Sequence, residues 1–356
     1  MIRSNAALAF LFAGALTCGF GCGDGGSKAG ASAEPAKSGA AATTGTAKSS
    51  GAQAKTSAAP TGTGTAKTDA GGTPSTATAD VLKHMPKDCD EGRVFVNMGK
   101  LFAGGDMGAA FDTLIGKAMA QGKADDKKAA EVMKVLKDGG IDPLKDVREI
   151  AVCANKDDKK TVVAVSMEPK ADKPADVFAK AMETGEGKAP TKEEKDGVTF
   201  LKSGKGEGGL AVVSKNMILI GEDIKTLQGV AKGGDGSGEF GDAKSTLVWA
   251  KVDPTKTKTE VVMKEAGSDY DLNVKLTTKD AAKTKTEFEK MLPELDKVAE
   301  KMPFAKPLLP IAKNGKMDAQ GENLTFSTKF PKDAIANFLK EASKVDPKEI
   351  MKGLKF

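Results

Sequence analysis

The chain has 356 residues, 39% of them hydrophobic, 5% aromatic and 29% charged, with 54 Lys and Arg against 49 Asp and Glu. Three arginines, one tryptophan and one tyrosine in a nearly balanced chain are a poor basis for nucleic-acid binding, and a single histidine, His84, excludes any mechanism that needs two. The excess of +5 is also uneven: six basic and three acidic residues precede residue 80, leaving 48 basic against 46 acidic for the remaining 277.

Arg3 begins a short basic region, and residues 6–16 (AALAFLFAGAL) form an apolar run of eleven. A helix of that length is too short to cross about 30 Å of hydrocarbon but suits the apolar region of an export signal. The sequel, ALTCGFGCGDGG, resembles the signal of a bacterial lipoprotein, in which a cysteine thiol receives a diacylglycerol and the peptidase cuts just before it. The resemblance implies a signal peptide of residues 1–21 and lipidation of Cys22, which follows Gly21; Cys18, which follows Thr17, is the second choice. It also implies anchorage to a membrane through acyl chains and a place in the bacterial cell envelope, as an outer-membrane lipoprotein facing the periplasm or the cell surface. The alternative is a plain secretory signal cut after residues 13–15 (AGA), which would leave both cysteines as thiols or in disulfides.

Residues 22–79 are Gly, Ala, Ser and Thr with scattered Lys, and beyond the cysteine they carry no aliphatic side chain larger than Ala. Such a segment buries too little apolar surface to offset the entropy of ordering, so the sequence predicts a disordered tether. A flexible coil of this length has an r.m.s. reach of about 40 Å.

Periodic patterning starts after Asp80. Residues 93–98 (RVFVNM) alternate as a strand, and Met107, Phe111, Leu114 and Met119 recur at helical spacing. A second helix, starting near Asp125 or Asp126, buries Val132, Met133 and Leu136 and ends at Gly139. Residues 147–154 and 161–167 predict a β-hairpin around NKDDKK. Asp172 is expected to cap a helix with Pro174 in its first turn and Gly185 past its end. Three short strands (197–202, 210–214, 217–220) and a helix over 222–232 follow.

The second half repeats the order. A strand at 246–252 precedes a hairpin of 260–264 with 270–276. A long helix from Asp280 places Phe288, Met291, Leu292 and Leu295 on its apolar face, with a kink at Pro293. A hairpin around Gly321 and a helix led by Pro331 complete the chain. The expected fold class is α+β: two similar lobes, residues 80–240 and 241–356, each an antiparallel sheet with helices on one face. This order behind such a signal and tether resembles uncharacterised exported bacterial proteins.

Little in the lobes points to chemistry. Residues 204–209 (GKGEGG) match G-x-G-x-x-G but lie between two strands, where a dinucleotide site needs a strand followed by a helix. Cys89 and Cys153 are the only cysteines after the tether, with no CxxC or Cys/His cluster, so no metal is expected. In an exported chain an even pair suggests one disulfide closing a loop of about 65 residues; the alternative is two separate buried thiols. His84 reads as a surface residue, Glu193, Glu194 and Asp196 as a solvated acidic knot in a loop, and Ser166 and Ser214 lack a partner set. No catalytic residues and no cofactor are therefore expected. Three functions compete: a non-catalytic envelope lipoprotein that binds or braces an unknown envelope protein, a periplasmic carrier or chaperone for lipid or other apolar ligands with methionine-lined walls, and a carboxylate hydrolase using Glu193 and Glu194.

Overall fold

The computed structural model describes residues 80–103, 107–110, 113, 124–206, 208–253 and 258–345. The signal peptide, the tether, Cys18 and Cys22 lie outside the described residues, as does most of the helix expected over 107–119.

Twelve strands form one antiparallel sheet: β1 (Gly92–Asn97), β2 (Val147–Ala154), β3 (Val162–Met167), β4 (Thr191–Lys195), β5 (Val198–Lys202), β6 (Gly209–Ser214), β7 (Met217–Gly221), β8 (Val248–Val252), β9 (Lys258–Ala266), β10 (Asp269–Thr277), β11 (Lys316–Gln320) and β12 (Asn323–Pro331). Their spatial order is β11-β12-β10-β9-β8-β1-β2-β3-β7-β6-β5-β4. The two expected lobes thus contribute adjacent halves of a continuous sheet, joined at its centre where β1 pairs with β8, with Phe95 opposite Trp249 and Val94 opposite Ala250.

Eight α-helices are described: α1 (Met98–Leu101), α2 (Ala124–Asp138), α3 (Pro174–Glu186), α4 (Ile224–Val230), α5 (Ala281–Met291), α6 (Leu295–Lys301), α7 (Leu309–Lys313) and α8 (Lys332–Ala342). The α+β expectation holds, and the four longest helices, α2, α3, α5 and α8, share one face, the back. There Leu136 and Phe178 meet Leu201, Val212 and Ile218 over one half of the sheet, while Phe288 and Leu339 meet Leu272, Val274 and Phe326 over the other. The strand period of two puts alternate residues on the front, where Phe95, Ala151, Cys153, Ala164, Leu219 and Trp249 form a third core.

Short pieces cover that front core: Val81, Leu82 and Met85 before β1, Leu227 and Val230 on α4, and Phe240 and Ala243 before β8. The first and last of these segments are stitched backbone to backbone, Gly234 N–H donating to the Lys83 carbonyl at 2.6 Å and Gly236 N–H to that of Met85 at 3.0 Å. Both positions require glycine because of close approach: a Cβ at Gly234 would lie 2.1 Å from the Met85 oxygen, and one at Gly236 2.0 Å from the Pro86 oxygen. Beyond Val262 the front of β9, β10, β12 and β11 is polar, with Lys264, Asn273, Lys275, Lys316, Asp318 and Lys329 exposed. An antiparallel sheet with one solvated face has this alternation.

Three local expectations are corrected. Helix α3 begins at Pro174 after Lys173, with no side-chain cap; Asp172 instead lies 3.7 Å from the Lys215 ammonium, and the stop is Gly187 in the left-handed region at φ 73° rather than Gly185. Glu193 and Glu194 lie on a strand, β4, and not in a loop. Its residues are exposed throughout, so no apolar alternation marked it, but the Asp196-Gly197 turn after it (φ 55° and 78°) is a hairpin signal that the sequence carried. Finally, Met291, placed on the core face by helical spacing, is 48% exposed.

Phe95 is fully buried at the junction of the halves. Phe95→Ala should cost about 3–5 kcal/mol by urea unfolding of the full chain, far more than a truncation on the exposed front such as Lys275→Ala.

Candidate functional site

The three places with site-like chemistry are the sulfur pair, a polar row on the front of the sheet and a small apolar cavity on its back. Cys153 is fully buried on β2, and Cys89, in the segment before β1, reaches it to form a disulfide with an S–S distance of 2.06 Å and Cα atoms 5.2 Å apart. The bond ties the front cover to the second central strand. His84 belongs to the same cover. Contrary to the surface reading, it is buried, because the 3-10 turn Val81–His84 packs on the sheet and brings its Nδ1 3.0 Å from the Val230 carbonyl at the end of α4.

The polar row runs across three strands. Asn97, Glu149 and Ser166 are register partners on β1, β2 and β3, and therefore point to the same face, beside the bulge between Val147 and Glu149. The Asn97 side chain accepts from the Lys100 N–H. Burial raises the Glu149 carboxyl above its ordinary range; the nearby Lys244 and Lys100 ammonium groups oppose this, and the Asp80 carboxylate reinforces it. Asp80 is itself held by Lys244 at 2.5 Å and caps the turn that follows by accepting from Leu82 N–H. Ser166 is 1% exposed, and its Oγ has no hydrogen-bond partner among the described residues. A hydroxyl so enclosed is out of reach of a substrate, so the row can bind or release a proton at Glu149 but offers no accessible nucleophile.

The cavity, of about 60 Å³, lies between α5 and the strands β10, β12 and β11. Phe288, Phe326, Leu324 and Leu276 wall it, Met291 and Met317 border it, and Thr284 and Glu287 add the polar atoms. Ligand sites for whole small molecules measure roughly 300–1,000 Å³, so this one admits a few carbon atoms and no lipid. Met291 borders it because α5 passes at that residue into the 3-10 turn Leu292–Glu294, where Pro293 lacks the N–H that would continue the helix.

The carboxylates singled out from the sequence are dispersed by the hairpin of β4 and β5. Glu193 accepts from Gln228 at 3.4 Å, Glu194 lies 3.6 Å from Lys192, and Asp196 lies 3.0 Å from Lys232. The glycine-rich residues 204–206 and 208 connect β5 to β6, as a hairpin. Among the described residues no three His, Cys, Asp or Glu side chains are grouped to hold a metal ion. Sequence reasoning passed over Glu149: it follows Arg148 near the start of the strand VREIAVCA, and a charged pair at a strand end gives no distinct signal.

No family model and no curated protein matches the chain. Among solved structures it is similar to TP0453 of Treponema pallidum. Crystal form III of that protein gives a TM-score of 0.43 at 11% identity, over 76% of this chain and 100% of that one; crystal form I gives 0.38 at 11%, over 75% and 98%. Neither TM-score reaches 0.5, and the likeness assigns no activity here.

Two measurements probe these sites. Because the folded-state pKa of Glu149 is raised, its contribution to stability is fully present below the unfolded carboxylate pKa and is lost as pH rises through the folded value. Glu149→Gln should thus stabilise the protein at neutral pH and flatten the fall of unfolding midpoint as pH rises above the ordinary carboxylate range. Replacing Cys89 and Cys153 by Ser opens a loop with a sequence separation of 64 and should lower stability by about 4 kcal/mol in the loop-entropy account, read as a shifted urea midpoint.

Proposed function

We propose that the chain is an exported, membrane-anchored lipoprotein of a bacterial envelope, with a folded domain that serves a non-catalytic binding or structural role. The observation that carries this reading is the Cys89–Cys153 disulfide. Disulfides persist in oxidising compartments outside the cytoplasm, and this one stands in a chain that opens with Arg3, an apolar run of eleven residues and a cysteine among small residues. Cys22 is the lipidation site in this reading, with Cys18 second. The two or three acyl chains of a lipoprotein give firm anchorage where one alone is marginal. Residues 22–79 then act as a leash that lets the domain work tens of ångströms from the bilayer. Among the described residues no helix is long and apolar enough to cross a membrane, so in this reading the attachment is the lipid's.

The non-catalytic role is supported by the chemistry available: the exposed carboxylates of β4 are paired with lysines or glutamine, and the buried serine is sealed from solvent. A binding role suits the wide polar front of β9 to β12, which the rest of the described chain leaves open.

Fractionation of cells carrying the full chain tests the anchor. Wild type should sediment with membranes, and Cys22→Ala should move the protein into the soluble fraction and block signal removal. Release by Cys18→Ala alone would shift the site to Cys18. Membrane association unchanged in both variants would remove the lipoprotein reading.

A further inference from the structure

The sheet has two open edges, and their sequences differ. At one end β4 reads Thr-Lys-Glu-Glu-Lys, exposed at every position. At the other, β11 reads Lys-Met-Asp-Ala-Gln, with Lys316, Asp318 and Gln320 exposed and Met317 and Ala319 half-buried towards the back. No described residue pairs with the outer side of either strand.

The register of β11 on β12 settles which backbone groups face outward. The strands join through the two-residue turn Gly321-Glu322, with Gly321 at φ 59° and Gln320 opposite Asn323. A two-residue turn makes its flanking residues a hydrogen-bonded pair, and such pairs alternate along an antiparallel ladder. Gln320, Asp318 and Lys316 therefore bond inward to β12, while the N–H and C=O of Met317 and Ala319 point away from the sheet.

We propose that this edge pairs with the same edge of a second copy of the chain, antiparallel, with Met317 opposite Met317 of the second copy. A two-fold axis at that point lets the two Met317 residues exchange N–H···O=C bonds. It also sets Lys316 of each copy opposite Asp318 of the other, two opposite-charge pairs on the front face. On the back face the methionine pair adjoins the cavity that Met291 borders, and Met291 is the exposed large hydrophobic side chain among the described residues.

Other registers are worse. A two-fold axis at Asp318 puts carboxylate against carboxylate, one at Lys316 puts ammonium against ammonium, and one at Ala319 sets Asp318 against the neutral Gln320. At β4 every axis on Lys192, Glu193, Glu194 or Lys195 places a charge against its own copy. Edge strands are commonly protected in this way, and β11 is the edge on which the protection fails in one register. Five paired residues bury far less than the roughly 1,200–2,000 Å² of a stable interface, so the pairing is a weak one that depends on local concentration.

The test uses the full chain in the cells or membranes that contain it, with Met317→Cys as the reporter. An antiparallel hydrogen-bonded pair has Cα atoms about 5.5 Å apart, within the span of a disulfide. A mild thiol oxidant should therefore give a covalent dimer on a non-reducing gel above the background of the chain that lacks the reporter. Adding Lys316→Glu, or Asp318→Lys, should reduce that dimer about tenfold, because each turns both attractive pairs repulsive. Adding both together exchanges the charges and should restore it. No dimer above background, a dimer indifferent to the single changes, or a double variant that stays uncoupled would each overturn the proposal. The same gel with Cys22→Ala added separates this proposal from the lipid anchor: a dimer present with Cys22 intact and weakened without it supports the edge pairing and assigns its local concentration to the anchor.

Discussion

Everything else in this domain depends on the pairing of β1 with β8. Without it β1 and β8 would each be the exposed edge of a separate sheet. With it, Trp249 of the second half joins Phe95, Ala151 and Leu219 of the first in one front core. Each half has helices on its back, and joining the halves buries the central strands that are apolar on both faces. Those strands occupy the centre: β1, β2, β3 and β8 carry Val, Phe, Ala, Ile and Trp at successive positions, while β9, β10 and β12 alternate.

The front core runs across the sheet from β5 to β8 and is covered by short segments rather than long helices. Short 3-10 turns and the two-turn α4 fill it, held by glycine-mediated backbone contacts, by His84 on the Val230 carbonyl and by the disulfide from Cys89. The disulfide fixes Cys89, in the segment before β1, to Cys153 on β2. Glu149, whose carboxyl pKa is raised by burial, lies towards the opposite end of β2 from Cys153, beside the Asp80–Lys244 pair.

The two halves share an order of elements but differ in what they leave exposed. In the first half α4 crosses to the front after β7, whereas α8 stays on the back after β12. Among the described residues nothing covers the front of β9 to β12, and the sheet ends there in β11, whose Met317 has no strand paired outside it. A surface kept polar and an edge kept short are the usual means of preventing association. On β11 the charges that repel with the axis at Lys316 or Asp318 become complementary with the axis at Met317.

Helix and strand positions were legible from periodicity alone wherever one face is buried and the other wet, as in the hairpins of β9 with β10 and β11 with β12, and in α2 and α5. The α+β class followed from their order. Where that contrast vanished the reading failed: β4 is exposed throughout, His84 is buried by a segment with no periodicity, and Met291 left the core because a proline ended its helix at the margin of the sheet. What the sequence by itself determined was the local structure, the charge balance of the domain and the even pair of cysteines, since each is written within one segment or as a simple count. Only the tertiary structure decided that the two halves share one sheet, that Asn97, Glu149 and Ser166 stand in a row, and that β11 is an open edge. These are relations between strands up to 160 residues apart, set by which registers bury the most apolar surface, and local periodicity carries no record of them.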